Sequence, residues 1–196
     1  MITSAATSAR ERLLAAADKL FYEEGVNTVG IDRVIEEAGV AKATLYSTFG
    51  SKEGLIVAYL QARLEHRQDR TNRALGKIDS PRERILAVFD VLDAYINEPG
   101  FNGCAFMNAT AESQPGSAVE EAARASRTWT RSLFTDLARD LGVADPEVLA
   151  RRLVLLYDGA LVSSHMDHDL NAAVTAKATA GALIDASSSP RRATSR

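Results

Sequence analysis

Three segments of the sequence have the residue types and spacing to do chemistry. The first, Ser163 to Asp169, contains two histidines and two aspartates, which are residue types that bind metals. In the second, the single cysteine, Cys104, stands at the start of a predicted helix, where the helix dipole favours a reactive thiolate. The third, Lys42 to Thr48, is short, rich in hydroxyl groups and begins with a lysine. Such side chains suit contact with the phosphates and groove edges of a nucleic acid.

The first two segments each have a simpler interpretation. His165 and His168 could share a helix face and serve a helical metalloenzyme with Asp167 and Asp169, but the pattern places no third ligand on that face. A polar helix end is therefore favoured. Free cysteines are commonly buried apolar residues, so a redox or electrophile sensor at Cys104 is also the less favoured interpretation. Because the sequence has no glycine-rich phosphate loop or nucleophile elbow, we predict neither catalysis nor a metal or cofactor.

The composition is that of an ordinary globular protein. The 196 residues are 46% hydrophobic and 25% charged, with a formal net charge of -3, which excludes collagen-like and wholly disordered chains. No apolar run reaches the roughly 18 residues of a membrane span, and the first residues do not resemble a signal peptide. One cysteine cannot form an internal disulfide. We expect a cytoplasmic protein with no membrane partner.

Helical periodicity runs through nearly the whole chain, and no segment alternates like a β-strand. The first predicted helix carries an apolar stripe and ends before Gly25, a typical helix-ending residue. Ser51 and the Ser80-Pro81 pair are start signals for two later helices. The predicted fold class is all-α with about nine helices, of which three form an N-terminal headpiece and the others a C-terminal bundle.

Two short predicted helices on either side of Gly39 have the dimensions of a helix-turn-helix. The first covers about Ile31 to Ala38 and the second about Lys42 to Phe49. Gly39 permits the left-handed backbone that a tight helix end prefers. Leu45 and Phe49 point inward from the second helix, and its outward positions are Lys42, Ala43, Thr44, Ser47 and Thr48. Spacing alone fits a plain helical hairpin of an α-bundle equally well.

Three segments in the first quarter of the chain carry a family resemblance: LLAAADKLFYEEG, IDRVIEEAGV and AKATLYSTFGSKEGL. In this order and spacing, residues 13–55 resemble the TetR family of transcriptional repressors. The resemblance implies a homodimer that binds double-stranded operator DNA and is released by a small, mostly apolar effector. We expect residues 1–50 to form the DNA-binding domain and residues 51–186 the effector-binding and dimerisation domain. Residues 187–196 lack an apolar face and are predicted to be a disordered basic tail.

The resemblance also implies roles for individual residues at matching positions. Thr44 and Tyr46 correspond to phosphate or groove-edge contacts, and Lys52 to a phosphate anchor at the start of the fourth helix. The base-reading positions are Lys42, Ala43, Ser47 and Thr48. The chain departs from the family at the last two, where a bulky aromatic or histidine is frequent, so base readout there must be weaker or different.

The predicted headpiece is not basic overall. Residues 1–50 hold five basic and seven acidic residues. DNA binding therefore requires Arg33, Lys42 and Lys52 to share one face, with Asp32 turned away from the phosphates. This charge balance leaves open an alternative, a helical small-molecule or redox-sensing protein with weak or lost DNA binding.

The C-terminal two thirds of the chain holds aromatic and sulphur-containing residues that could line a ligand pocket. Such pockets are mostly apolar with a few polar groups. Most of these residues will be core, and the resemblance to a family that buries effectors here is what favours a pocket. The candidate pocket residues are Phe89, Tyr95, Cys104, Phe106, Met107, Asn108, Trp129, Phe134, Tyr157 and His165.

The last two long helices combine small residues with apolar area and are predicted to form the homodimer interface. A dimer lets two recognition helices read half-sites about 34 to 36 Å apart. The same residues could instead cover the core of their own chain. The candidate interface residues are Leu153, Leu156, Ala160, Leu161, Ala172, Ala173, Val174, Ala176, Ala180, Gly181, Ala182, Leu183 and Ile184.

Overall fold

The computed structural model describes residues 8–188 of the chain. Within this range there are nine α-helices and no strand, which confirms the predicted all-α fold class. None of these helices has the length and hydrophobicity that crossing a membrane requires. The helices are α1 (Ala9–Glu24), α2 (Ile31–Ala38), α3 (Lys42–Phe49), α4 (Lys52–Leu75), α5 (Pro81–Ile96), α6 (Ala105–Glu112), α7 (Ala118–Asp140), α8 (Pro146–Met166) and α9 (Ala172–Ser188).

Serine hydroxyls accept hydrogen bonds in the first turn of several helices, including those for which Ser51 and Ser80 are start signals in the sequence. Ser8 and Glu11 form a reciprocal capping box at the start of α1. The Ser51 hydroxyl accepts a hydrogen bond from the amide of Gly54 at 3.0 Å in the first turn of α4. Ser80 caps α5. At the other end of the chain, α9 includes residues 187 and 188 of the predicted tail, and residues 189–196 lie outside the described range.

The chain forms two compact units, and each includes two separate stretches of sequence. Of the described residues, the N-terminal unit contains 8–66 and 104–126, and the C-terminal unit contains 67–103 and 127–188. Helix α6 and the beginning of α7 therefore belong to the same unit as the first three helices. This compact unit is larger than the predicted DNA-binding domain of residues 1–50.

The N-terminal unit has one continuous apolar core. Leu13 of α1, Val34 of α2, Leu45 of α3 and Leu55 of α4 are fully buried in it. From α6, Phe106 and its neighbours Ala105 and Ala109 join the same core. The core thus fixes the short helices α2 and α3, which bury little area by themselves, against two longer ones.

Arg63 ties α4 to α1 at the edge of this core. Its guanidinium donates hydrogen bonds of 2.6 and 3.1 Å to the two carboxylate oxygens of Asp18. The same guanidinium lies 3.8 Å from the centre of the Tyr22 ring and 5.4 Å from that of Tyr59. A bidentate ion pair that also stacks on aromatic rings fixes the angle between two helices better than apolar contact does.

We expect the Arg63→Ala variant to lose about 2 kcal/mol of unfolding free energy, because it removes charge-assisted hydrogen bonds and ring contacts together. The Asp18 side chain is half exposed, which keeps the loss from being larger. Urea denaturation followed by circular dichroism measures the change. The matched control is Arg73→Ala, whose exposed side chain lies 3.8 Å from Asp69. Equal losses in the two variants would contradict the role assigned to Arg63.

The C-terminal unit is built around an aromatic cluster. Phe89 of α5, Phe134 of α7 and Tyr157 of α8 have ring centres 5.7 to 6.5 Å apart. Helix α9 packs against α5 and α8. Lys177 of α9 pairs with Asp90 of α5 at 2.6 Å. Apolar contact and peripheral ion pairs therefore hold α5, α8 and α9 together.

Most of the predicted interface residues of α8 and α9 face the core of their own unit. They are buried there because both helices are apolar on more than one side, and sequence periodicity does not say which side faces out. The buried residues are Leu153, Ala160, Leu161, Ala172, Ala173, Ala176, Ala180, Gly181 and Ile184. Val174 and Ala182 of the predicted interface are exposed, and the other exposed large apolar side chains of this region are Leu155, Val162, Met166 and Leu170.

Candidate nucleic-acid interface

The turn between α2 and α3 is closed by Gly39 in the left-handed conformation, with φ 60° and ψ 45°. The amide of Gly39 donates to the carbonyl of Glu36, and the amide of Val40 donates to the carbonyl of Ile35, both at 3.1 Å. This pair of bonds is a Schellman motif, which ends a helix sharply. The Arg12 side chain of α1 also donates to the Ala38 carbonyl at 3.1 Å. The two short helices thus form a rigid helix-turn-helix.

Helix α3 packs one side into the core of the N-terminal unit and exposes the other side to solvent. Leu45 is fully buried and Phe49 is half buried, with the guanidinium of Arg10 5.7 Å from the centre of its ring. Tyr46 is 45% exposed, an unusual position for a large aromatic side chain. The other predicted contact residues of α3 are Lys42, Ala43, Ser47 and Thr48, which are exposed, and Thr44, which is half buried.

Two hydroxyl groups on the exposed side of α3 fold back onto the helix. The hydroxyls of Ser47 and Thr48 donate to the carbonyl of Thr44 at 3.1 and 2.6 Å. Because these donors are engaged within the helix, each hydroxyl presents an acceptor oxygen and, for Thr48, a methyl group outward. The surface therefore suits donor groups and thymine methyl groups in a DNA groove.

Two of the predicted DNA-binding side chains, Lys42 and Arg33, form ion pairs with acidic residues of the same unit. The ammonium of Lys42 lies 2.8 Å from a carboxylate oxygen of Asp32, and this ion pair raises the pKa of Lys42. Arg33 pairs with Glu24 of α1. Asp32 therefore lies beside Lys42 in the free protein, whereas DNA binding as predicted from the sequence requires it to turn away from the phosphates. Phosphate binding by either cation requires exchange of its carboxylate partner.

Lys52, the predicted phosphate anchor, lies in the first turn of α4 and is half buried. Its ammonium donates to the backbone carbonyl of Asn27 at 3.5 Å. Burial lowers the pKa of Lys52, and the carboxylate of Glu112 opposes that shift. The lysine therefore stays next to the turn between α1 and α2 and does not extend freely into solvent.

The ten predicted effector-pocket residues fall in both compact units. Cys104, Phe106, Met107 and Asn108 belong to the N-terminal unit, where Phe106 is buried in the core and Met107 is 46% exposed. Cys104 is the half-buried N-cap residue of α6. The remaining six belong to the C-terminal unit, and they are Phe89, Tyr95, Trp129, Phe134, Tyr157 and His165.

Within the C-terminal unit, the predicted pocket residues have different surroundings. Phe89, Phe134 and Tyr157 pack on one another, as core residues do. Tyr95 donates its hydroxyl to the carbonyl of Gly103 at 3.1 Å. The half-buried ring of Trp129 has the guanidinium of Arg67 5.3 Å from its centre.

His165 is exposed and lies against the backbone of Gly103, where a Cβ would be 2.9 Å from its ring. Among residues 8–188, no group of three or more histidine, cysteine, aspartate or glutamate side chains is arranged to hold a metal ion. His168 and His165 instead line a cavity of about 340 Å³, together with Asn97, Glu98 and Phe101. A groove of about 470 Å³ between α7 and α8 is lined by Arg127, Arg131, Arg151, Val154 and Leu155, among others.

Two residues next to Lys52, Asn27 and Glu112, are linked by hydrogen bonds that could not be predicted from the sequence. Asn27 lies in the turn between α1 and α2, and Glu112 is the last residue of α6. They bind each other across 85 positions of sequence. Neither belongs to a motif, so no local signal identifies the pair.

Comparison with known proteins agrees with this geometry. Residues 13–59 match the family model described as bacterial regulatory proteins, tetR family. A crystal structure of a TetR-family transcriptional regulator from Streptomyces coelicolor superposes with a TM-score of 0.87 at 36% identity, covering 92% of this chain and 96% of that one. The chain is also 26% identical to the HTH-type transcriptional regulator BetI of Brucella anthropi over 90% of this chain and 89% of BetI.

A third relative is an activator. The HTH-type transcriptional activator FasR of Mycolicibacterium smegmatis is 29% identical over 68% of this chain, and the match spans 61% of the length of FasR. These relatives carry the names of transcriptional regulators and not of enzymes. The family model covers the helix-turn-helix, and the solved structure from Streptomyces coelicolor covers nearly the whole fold. The chain belongs to the TetR family of DNA-binding, helix-turn-helix transcriptional regulators.

Proposed function

We propose that the chain is a cytoplasmic homodimeric repressor that leaves its operator DNA when a small, mostly apolar effector binds. The observation that carries this proposal is the exposed side of α3, which a buried Leu45 and a closed turn at Gly39 hold rigidly. Rigid presentation of a short helix is what entry into the major groove requires. In functional terms, residues 1–50 contact DNA together with Lys52, and the rest of residues 51–186 carries the effector and dimer contacts.

The proposed DNA contacts divide into positioning and reading groups. Tyr46, Thr44, Lys52 and Arg33 contact phosphates or the groove edge, which orients the protein without reading sequence. The base-reading positions are Lys42, Ala43, Ser47 and Thr48. Small side chains at the last three allow close approach of α3 to the base edges. Lys42 gives the one long donor among them, which suits the acceptors of guanine.

The dimer forms through the outward faces of α8 and α9. Leu155, Gly159, Val162 and Met166 recur at spacings of four, three and four residues and are exposed on one side of α8. Val174 and Ala178 are exposed on α9. An apolar stripe with a glycine at its middle suits the close packing of a second helix pair. A two-fold axis then places two copies of α3 on successive turns of DNA.

The effector acts by preferring one of two conformations of the dimer. A ligand that binds both conformations equally would not change their populations. A ligand that prefers the conformation in which the two copies of α3 are wrongly spaced for DNA lowers operator affinity. Among the predicted pocket residues of the C-terminal unit, Tyr95, Trp129 and His165 are the best placed, because their side chains are not wholly within the core. Trp129 is the single tryptophan of the chain, so its fluorescence reports directly on this region.

The charge balance of the N-terminal unit favours one alternative, a sensing protein with weak or lost DNA binding. Lys42 and Arg33 are both paired with carboxylates in the free protein. If those pairs persist on DNA, few cations remain for phosphates. Selection from a random-sequence pool of duplexes separates the two functions: a repressor enriches one sequence with two half-sites, whereas the alternative enriches none.

Tyr46 offers the sharpest single-residue test of the proposed interface. We expect Tyr46→Ala to weaken binding to the selected duplex about tenfold, or roughly 1.4 kcal/mol, while the fold is retained because the side chain is exposed. Tyr46→Phe gives a similar loss if the hydroxyl donates to a phosphate. Fluorescence anisotropy measures affinity, and Thr179→Ala on the exposed side of α9 is the control. A folded Tyr46→Ala variant with wild-type affinity would show that α3 is not the recognition helix.

A further inference from the structure

Glu112, the last residue of α6, is hydrogen-bonded to the turn between α1 and α2. The Oε2 atom of Glu112 accepts a hydrogen bond from the backbone amide of Asn27 at 2.7 Å. The backbone carbonyl of Glu112 accepts a second bond, also 2.7 Å long, from the side-chain amide of Asn27. We call this two-bond contact of Asn27 with Glu112 the clasp. Both partners lie within the N-terminal unit.

Gly25 makes room for the clasp. A Cβ at this position would lie 2.7 Å from Oε1 of Glu112, closer than side-chain atoms pack. The backbone of Gly25 also has a φ of 94°, which residues other than glycine rarely adopt. Both carboxylate oxygens of Glu112 therefore lie next to the turn, Oε2 at the Asn27 amide and Oε1 beside Gly25. Its position depends on a backbone shape that glycine alone adopts easily.

The clasp also adjoins the proposed phosphate anchor. The ammonium of Lys52 donates to the carbonyl of Asn27, the residue that Glu112 grips. Beside Lys52, the carboxylate of Glu53 accepts a hydrogen bond at 3.1 Å from the amide of Ala118, the first residue of α7. The end of α6 therefore contacts the turn before α2, and the beginning of α7 contacts the start of α4.

We propose that Glu112 is a positioning residue for DNA binding, which holds the turn before α2 and the start of α4 in the relative placement that DNA requires. The inference rests on the proposed function in one respect, that α3 and Lys52 contact DNA together. Phosphate contacts bind DNA more tightly when their spacing is set beforehand, because ordering them during binding reduces affinity. The clasp sets that spacing without touching DNA.

A double-mutant cycle tests this role. With a duplex selected from a random-sequence pool by the wild-type protein, we expect Glu112→Ala to weaken binding about tenfold and Asn27→Ala about threefold. Each change removes a different one of the two hydrogen bonds, and we expect the losses in the double variant to be less than additive because both bonds hold the same turn. Glu112→Gln keeps an acceptor oxygen and binds within about threefold of the wild type. A role in overall stability alone would not give this pattern among folded variants.

Hydrogen exchange and a matched control complete the test. We expect the amide of Asn27 to lose protection in Glu112→Ala, whereas Glu121→Ala, an exposed glutamate on α7, changes neither protection nor affinity. Wild-type affinity in a folded Glu112→Ala variant, or fully additive losses in the cycle, overturns the positioning role. If Glu112→Ala does not fold, wild-type affinity in Asn27→Ala overturns it instead. Failure of the wild-type protein to select any duplex overturns the proposed function, which is a separate result.

Discussion

Gly54→Ala should abolish selective DNA binding and lower the melting temperature of the protein. Gly54 lies in the first turn of α4, where a Cβ would be 2.1 Å from the carbonyl oxygen of Phe49, the last residue of α3. Since the obstructing atom belongs to the backbone, no rotamer change relieves the contact. The end of α3 must move relative to α4, which displaces the proposed recognition helix from the proposed phosphate anchor Lys52.

The expected cost of this overpacking is on the order of 3 kcal/mol. For a chain of this length such a loss lowers the melting temperature by roughly 6 to 12 °C. Thermal circular dichroism and anisotropy with the selected duplex measure the two effects. Gly30→Ala is the matched control, because a Cβ there would have no neighbouring atom within 4 Å and its φ is negative. A Gly54→Ala protein with wild-type stability and affinity would contradict the close approach of α3 and α4.

Leu155→Glu should convert the proposed dimer into a monomer. The Leu155 side chain is 68% exposed and belongs to the apolar stripe of α8. In a two-fold interface each substitution occurs twice, so two carboxylates would replace apolar side chains within the contact. We expect the dimer dissociation constant to rise at least hundredfold, or about 2.7 kcal/mol.

Sedimentation velocity across a concentration series measures this constant. Met107→Glu is the control, since Met107 is an exposed apolar residue of the N-terminal unit and lies outside the stripe. The monomer produced by Leu155→Glu should also bind the selected duplex much more weakly, because one α3 reads only half of the site. If Leu155→Glu remains a dimer while Met107→Glu does not, the interface lies in the N-terminal unit and the proposed stripe is wrong.

Local signals in the sequence were enough to locate the helix-turn-helix. The bounds of α2 and α3 agree with the prediction because Gly39 and Gly50 end these helices through backbone conformations that the sequence makes explicit. The inward position of Leu45 follows equally from helical periodicity. Because Leu45 faces inward, the opposite side of α3 faces solvent. The contacts of that side with DNA are proposals.

Features that depend on contacts between distant segments could not be predicted. The clasp joins Asn27 to Glu112, two polar residues outside any motif. The exposed stripe of α8 was missed because α8 is apolar on several sides, and only packing decides that Leu153 faces in and Leu155 faces out. For the same reason, apolar residues proposed for a pocket, such as Phe89 and Phe134, pack on each other.

The most direct test of a sequence-reading dimer is an anisotropy titration of the selected duplex with wild-type protein, repeated from about 50 to 200 mM salt and against a scrambled competitor. The proposed function predicts one dimer per duplex and affinity that falls steeply as salt rises, because each phosphate contact displaces counterions. It also predicts that the scrambled duplex competes poorly at every salt concentration. Equal competition by the scrambled duplex would contradict sequence-specific recognition by α3.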